Sequence, residues 1–535
     1  MLQDIKRADY IVAHNSKFEL GWLRRCGLDL RSVPPVWDTM LAEWVLAGNL
    51  RPGFSLAQSL IRRSIRPKVS DVEHLIHTAG ICPSNIPRPW LLEYCKQDVD
   101  ATEQLLREQL RLVAQRDQLH LVYQRGLVAA CLADIEPQGL QLDKERVYTE
   151  YEKVLAEYRE TEAKLEAYGT INWRSGKQVA ELLYDTLGFK EPSDFRGNPR
   201  RSVAGRRKTD KATVSSLSAR TKQQREFKEL FTKVAHLSAK LTKTLDFFKG
   251  VCDEYDGVFY GSLNQGTTGT HRLSSSGRKL HFRSTDAASG VQLQNLPREY
   301  KSLFCARRAG YLVLDVDASQ LEFRVAADLG HDELAQAEIA AGVDIHSITA
   351  KTLTDAGEAT DRQSAKSRTF RPLYGGRTGT KAEQEYCKFF QRKYAGIFRT
   401  QTSWTIEVVN TGELKTPYGL RYYWPGTKCS QTGYIDNTTS IFNYPIQGFA
   451  TGEIVPLSLL WFWYKTKDLR VFIVNTIHDS VIAEVHPEDL DEAKKIATEC
   501  FTTDVYNSLR NLYKYDFTTQ LKAEAKAGKH WGDKD

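Results

Sequence analysis

No run of eighteen or more apolar residues occurs in this 535-residue chain, so no transmembrane helix is expected. The opening "MLQDIKRADY" lacks the apolar stretch of a secretory signal. Nine cysteines stand singly, with no CxxC pair, which suggests neither a zinc site nor a disulfide framework and fits a reducing compartment. No internal repeat is found. What remains, 41% hydrophobic and 26% charged residues, is the balance of a soluble globular protein with about three or four domains. A cytoplasmic location with no membrane partner is the expectation.

The net charge of +7 is modest but uneven. Residues 196–211, "RGNPRRSVAGRRKTDK", hold Arg196, Arg200, Arg201, Arg206, Arg207, Lys208 and Lys211 with little that is apolar. Such a segment predicts a mobile basic loop. Two readings stand for it: a merely solvated surface, or a salt-dependent contact with a phosphate backbone through residues such as Arg206, Arg207 and Lys208.

Hydrophobic periodicity divides the chain into regions. Residues 1–115 mix a strand, "YIVAHN", with helical segments "FELGWLRRCGL" and "WDTMLAEWVLAG" and read as α/β. Residues 116–289 are mainly helical, with long charged periodic stretches. Residues 290–330 contain the strand "YLVLDVD", 331–430 look helical again, and 431–535 contain the strands "VFIVNTI" and "SVIAEV".

Three segments carry chemistry. In "NTIHDSVIAEV", Asp479 sits at the tip of an apolar hairpin, where ordinary turn preference is one explanation. In "YLVLDVDASQLEFRVAADLG", alternation puts Asp315 and Asp317 on one strand face and Leu314 and Val316 on the other, and a helix from about Ser319 carries Glu322 one turn in. One Asp at a strand end and one at a hairpin tip could share two divalent cations, as phosphoryl transfer requires. Magnesium suits a few carboxylates completed by water and phosphate oxygens. Between them, "DRQSAKSRTFRPLYGG" places Arg362, Lys366 and Phe370 at four-residue intervals with Tyr374 beyond. On a helix that stripe could grip a triphosphate and offer aromatic surfaces to a base. A solvated helix face with one buried Phe is the plainer alternative.

Together these segments resemble DNA polymerase family A. Its motif DxSQxExR is matched by Asp317, Ser319, Gln320, Glu322 and Arg324. RxxxKxxxFxxxYG is matched by Arg362, Lys366, Phe370, Tyr374 and Gly375, and the HD pair by His478 and Asp479. "THRLSSSG…LQNLP", "DIHSITA", "NYPIQGFATGEI" and the ending "KAGKHWGDKD" are similar to further family segments. The resemblance implies a right hand of palm, fingers and thumb, α+β in class, after a partial α/β ribonuclease-H-like domain. It divides the chain into an exonuclease-like domain (1–115), thumb and thumb–palm junction (116–289), palm (290–330), fingers (331–430), and palm with C-terminus (431–535).

Carried over residue by residue, the resemblance gives Asp317 and Asp479 the two Mg²⁺ ions, with Mn²⁺ as a substitute. Lys366, Arg362 and His346 would hold the triphosphate, and Lys366 would be a proton donor to pyrophosphate. Gln320 and Phe370 would line the dNTP site, Glu322 would reject a 2′-hydroxyl, and Tyr374 would gate the template base. Arg272, Asn443, Gln447 and His478 would face primer–template DNA, with the basic loop at the thumb tip. A processivity factor is a further expected partner. Four departures stand out: Ser480 where an acid is usual, His271 where glycine is usual, Thr439 where Arg is common, and Pro372, which predicts a break in the motif helix.

The N-terminal region resembles the proofreading 3′–5′ exonuclease fused to such polymerases, through Asn15 and Glu19 in "NSKFE" and Tyr94 and Asp98 in "YCKQD". No DxE pair precedes them, and "DVE" at 71–73 is out of order, so a truncated domain with little or no nuclease activity and exposed sheet surface is expected. The leading reading is a phage-type DNA polymerase. A single-subunit RNA polymerase and a non-catalytic DNA-binding relic are the alternatives.

Overall fold

The computed structural model describes residues 2–66, 71–169, 171–173, 175–194, 198–202, 205–277, 280–281, 288–376, 378–431 and 433–533. Near the N-terminus β1 (Ile11–Ala13) runs parallel to β2 (Val36–Asp38), each followed by a helix, α1 (Lys17–Arg25) and α2 (Thr39–Ala47). Trp37 and Asp38, expected within a helix, belong to a strand and a cap. The Asp38 carboxylate accepts from the Met40, Leu41, Asn15 and Ser16 amides, so it starts α2 and ties the two βα turns together. The long α3 (Arg88–Gln115) covers this unit, and α4 (Leu119–Ile135) lies against β2. Gly126 permits that approach, because a Cβ there would stand 1.9 Å from the Val36 carbonyl oxygen.

Apart from a small cluster of Leu60, Ala101 and Leu105, these N-terminal elements share the main core. Leu41, Trp44, Leu121 and Val128 join Leu314, Val316 and Leu373 in one continuous core. Helix α4 shares this core. Beyond β3 (Leu140–Leu142), α5 (Lys144–Glu166) packs along α6 (Lys222–Lys240). The thumb tip has its own small core around Leu165, Leu183 and Phe227.

β3 pairs with β4 (Val258–Phe259) and β5 (Phe304–Cys305) at the thumb's base. The palm sheet is antiparallel around β6 (Leu312–Ala318), in the order β7 (Val471–Ile477), β8 (Ser480–Val485), β6, β9 (Ala523–Gly528). Leu314, Val316 and Ala318 face the main core, as alternation predicted. The pairing of β9 with β6 brings residues some two hundred positions apart into register.

After β6 comes α7 (Leu321–Leu329), then the fingers: α8 (Ile345–Asp355), α9 (Arg362–Thr369), α10 (Lys381–Lys393) and α11 (Ala395–Thr411). The expected wholly helical stretch is interrupted by a hairpin pairing Glu413–Lys415 with Arg421–Tyr423. Helix α9 ends at Phe370, and Arg371–Tyr374 continues as a tight 3₁₀ turn closed by Gly375 at φ +73°. Pro372 supplies no amide hydrogen to continue the α ladder. The chain returns through α12 (Thr438–Gln447) and α13 (Val455–Lys465). Among the described residues no helix is long and apolar enough to cross a membrane.

Candidate active site

The hairpin between β7 and β8 turns through His478 and Asp479, with Ile477 opposite Ser480. His478 takes the left-handed conformation, φ +56°, and its amide donates to the Gln294 side chain at 3.3 Å. The Asp479 carbonyl accepts from the Ala318 amide at 3.1 Å, which fixes the tip against the end of β6. In register, Asp317 lies opposite Ser480 on one side and Glu524 on the other. The Ser480 hydroxyl donates to Asp317 Oδ1 at 2.6 Å. Burial, then the neighbouring Asp317 charge, pushes the Asp479 carboxyl up to about 7. Asp315, on the same strand face, is differently occupied: Trp531 Nε1 donates to it at 2.8 Å and Lys301 stands 3.7 Å away.

Gln320 turns the chain at φ +53° into α7, and Arg324 Nε folds back onto the Ser319 carbonyl at 2.7 Å. This bend aims Glu322 into the cleft, where Gln447 Nε2 donates to it at 3.3 Å. Burial raises the Glu322 carboxyl. Arg272 faces Glu322 and Asp479, and the charges of both partly offset its own burial. Arg272, Glu322, Gln447, Asp317 and Asp479 are thus brought to one place from four separate segments. Asn443, a turn before Gln447 on α12, has a buried Oδ1 with no hydrogen-bond partner.

The fingers present their cations differently from the simple stripe expected. Lys366 is exposed, makes no ion pair, and lines a cavity of about 450 Å³ together with Asp317, Glu524 and Lys526. Arg362 is engaged: its Nε donates to Asp344 at 2.6 Å, and Asp344 also caps α8. A second cavity of about 500 Å³ is lined by Gln320, Asp344, Arg362 and Glu524. His346 Nδ1 lies 2.9 Å from the Thr369 hydroxyl, and burial, then the nearby Arg362 charge, lowers the pKa of the ring. Phe370 stacks on Phe323 with centroids 5.4 Å apart and meets His346 edge-on. The Tyr374 hydroxyl is buried without a partner.

Two expected features of the basic loop are corrected. Its described part is not a free loop: Arg201 pairs with Arg207 in an isolated β-bridge, and the Tyr184 hydroxyl donates to the Lys208 carbonyl at 2.5 Å. Arg207 forks onto Asp185 at 2.7 Å through both terminal nitrogens, so its guanidinium is spent within the protein. Arg206 is exposed, and Arg196 lies outside the described residues.

In the N-terminal region a cavity of about 680 Å³ is lined by Glu19, Glu73, Tyr94 and Asp98. Glu73 comes from the out-of-order "DVE", on a short helix rather than a first strand. Asn15 does not line this cavity; its backbone turns at φ +68° and donates to Asp38. Burial, then the Asp38 charge, raises the Glu19 carboxyl. No group of three possible metal ligands is formed among the described residues. In the palm the two aspartates nevertheless suit magnesium, which takes its other ligands from water and phosphate oxygens.

Sequence reasoning passed over Glu524 and Lys526 because their segment carries no catalytic motif; only its alternation of charge with alanine hinted at a strand. Asp344, the cap of α8 and the partner of Arg362, was passed over as well.

A palm sheet with paired carboxylates, facing fingers and thumb, defines the polymerase right hand. The profile of DNA polymerase family A matches residues 143–533, and the chain belongs to that family. It is 27% identical over 491 residues to the thermostable DNA polymerase I of Thermus filiformis, covering 86% of this chain and 54% of the relative. It is 23% identical over 619 residues to the DNA polymerase of Bacillus phage SP01, covering 98% and 63%. The polymerase domain of Pol1 from M. smegmatis, solved in complex with DNA primer–template and dNTP, superposes with a TM-score of 0.72 at 21% identity, covering 97% of this chain and 85% of that one. The chain spans about half the length of the curated relatives it matches first, 54% and 50%.

Proposed function

We propose that this chain is a template-directed DNA polymerase that adds dNTPs to a primer 3′-hydroxyl by two-metal phosphoryl transfer. The observation that carries the reading is the placing of Asp317 beside the hairpin tip that holds the half-buried Asp479, with Asp479 pushed up to about 7 and Lys366 across the cavity that Asp317 lines. Asp317 and Asp479 would hold two magnesium ions, which when bound activate the primer hydroxyl and offset charge on the leaving pyrophosphate. Lys366 meets the triphosphate directly. Arg362 exchanges Asp344 for phosphate, and His346, held by Thr369, orients beside it. Glu322, braced by Gln447, fills the space beside the sugar's 2′ position, which favours a deoxynucleotide over a ribonucleotide and speaks against an RNA polymerase. Tyr374 and Phe370 face template and incoming base, and Arg272, Asn443, Gln447 and His478 line the duplex.

A non-catalytic relic is disfavoured because carboxylates held this close repel DNA and serve no purpose in binding alone. The N-terminal cavity is proposed to be nuclease-inactive, since Asn15 is turned away and its acids form no metal-binding trio among the described residues. A role in phage DNA replication is supported by the phage relative aligned along 98% of the chain. The test is primer extension on a recessed primer–template with Mg²⁺ or EDTA. Extension abolished by EDTA and by Asp317→Ala supports the reading; no extension by the wild-type chain overturns it.

A further inference from the structure

Among the contacts between the N-terminal region and the segment that carries Arg272 is a stacked pair. Trp44 of α2 lies face to face with His271, ring centroids 4.0 Å apart and planes 10° apart, and both side chains are buried. His271 Nε2 donates to the Gly48 carbonyl at 3.0 Å, just past the end of α2. Its Nδ1 is buried with no partner, so no other polar group competes for the ring's orientation. Arg125 lies over the opposite side of the assembly, 5.5 Å from the Trp44 ring, and is itself clamped by the buried Glu453.

His271 has φ +60°, a conformation that glycine adopts easily and a histidine adopts at a cost. Such strain persists only where the surroundings over-determine it, and it clusters at functional sites. Here the surroundings are the Trp44 face, the Gly48 carbonyl and the backbone beside Gly452, where an added Cβ would stand 3.0 Å from the His271 oxygen. The residue fixed by all this is next to Arg272, whose guanidinium faces Glu322 and Asp479.

We propose that Trp44 and His271 are positioning residues for Arg272, and that the N-terminal α/β unit serves primer-terminus alignment whether or not it cleaves DNA. The proposal rests on the polymerase reading above and on Arg272 contacting the duplex at the primer end. In a hand whose palm sheet and fingers share one core with this unit, the stack is one point where that rigidity enters the DNA-binding cleft.

The experiment uses the full chain in single-turnover extension of matched and mismatched primers, with thermal unfolding and DNA affinity measured on each variant. His271→Gly relieves the strain and deletes the stack, and Trp44→Leu keeps an apolar side chain while deleting it. Either should slow matched extension about tenfold, with dNTP KM within about twofold, because small misplacement is costly at a reacting centre. Trp44→Phe should restore most of the rate. The deciding result is the cycle with Arg272→Ala: in that background His271→Gly should add nothing. Multiplying effects, a wild-type rate in His271→Gly, or a neutral Arg272→Ala would each overturn the inference while extension by the wild-type chain still stands. Loss of wild-type extension would overturn the polymerase reading instead.

Discussion

The carboxylates of the palm and those of the N-terminal cavity are held on opposite terms. In the palm, Asp317 lies on a strand paired along both edges, and Asp479 is fixed at a turn by the Ala318 amide. In the N-terminal region, Glu19 and Asp98 project from helices beside a sheet of two three-residue strands. Paired strands fix spacing between residues far apart in sequence, whereas side chains on separate helices depend on how those helices are held. On the sheet the Asp317 charge acts on Asp479, whereas Glu19 and Asp98 line a cavity from separate helices.

The sharpest break of that comparison is removal of one palm carboxylate. Asp317→Ala or Asp479→Ala should lower single-turnover extension by about a thousandfold or more, since each removes a metal ligand of the reacting centre. Against it, Glu19→Gln with Asp98→Asn should leave extension unchanged, and a mismatched primer without dNTPs should stay intact in the wild-type chain and the variant alike. Shortening that these changes stop would show that the N-terminal acids do converge.

Smaller effects sharpen the palm side. Glu322→Ala should raise ribonucleotide incorporation relative to deoxynucleotide by about tenfold to a hundredfold, the reach of steric exclusion of one hydroxyl, read from competing nucleotides on one template. Asp344→Asn should release Arg362 and lower dNTP KM by no more than about fivefold, because an exposed ion pair is worth at most about 1 kcal/mol.

The smallest expected effect is on stability. Asp479 is pushed from its ordinary value near 3.8 up to about 7, so its charged form is disfavoured in the folded protein. That penalty is absent well below pH 4, grows as pH rises, and is complete above about 7. Asp479→Asn should therefore stabilise the metal-free protein at pH 8 by about 1 kcal/mol and change little at low pH. Added Mg²⁺ should raise the wild-type unfolding temperature more at pH 8 than at pH 6, with the difference gone in Asp479→Asn.

Much of this site was legible in the chain because each motif keeps its chemistry within a few residues. The alternation in "LVLDVDA" told which face Asp317 takes, and Pro372 told where the fingers helix stops. The caps that Asp38, Asp344 and Asp361 form at helix starts emerged only in the structure. In the basic run, net charge counts cations without their partners: Asp185 and Glu191 lie outside it and pair with Arg207 and Arg201.

The sequence by itself determined the family, the two palm aspartates, the cations and aromatics of the fingers, and the strand and helix that carry them, because period and residue type are local properties. Tertiary structure decided which acids converge, that Ser480 and Glu524 flank Asp317, that Arg362 is held by Asp344, and that Trp44 touches His271. Those are contacts between segments up to about two hundred residues apart. They depend on sheet register and on one shared core, and neither is written in any short stretch of the chain.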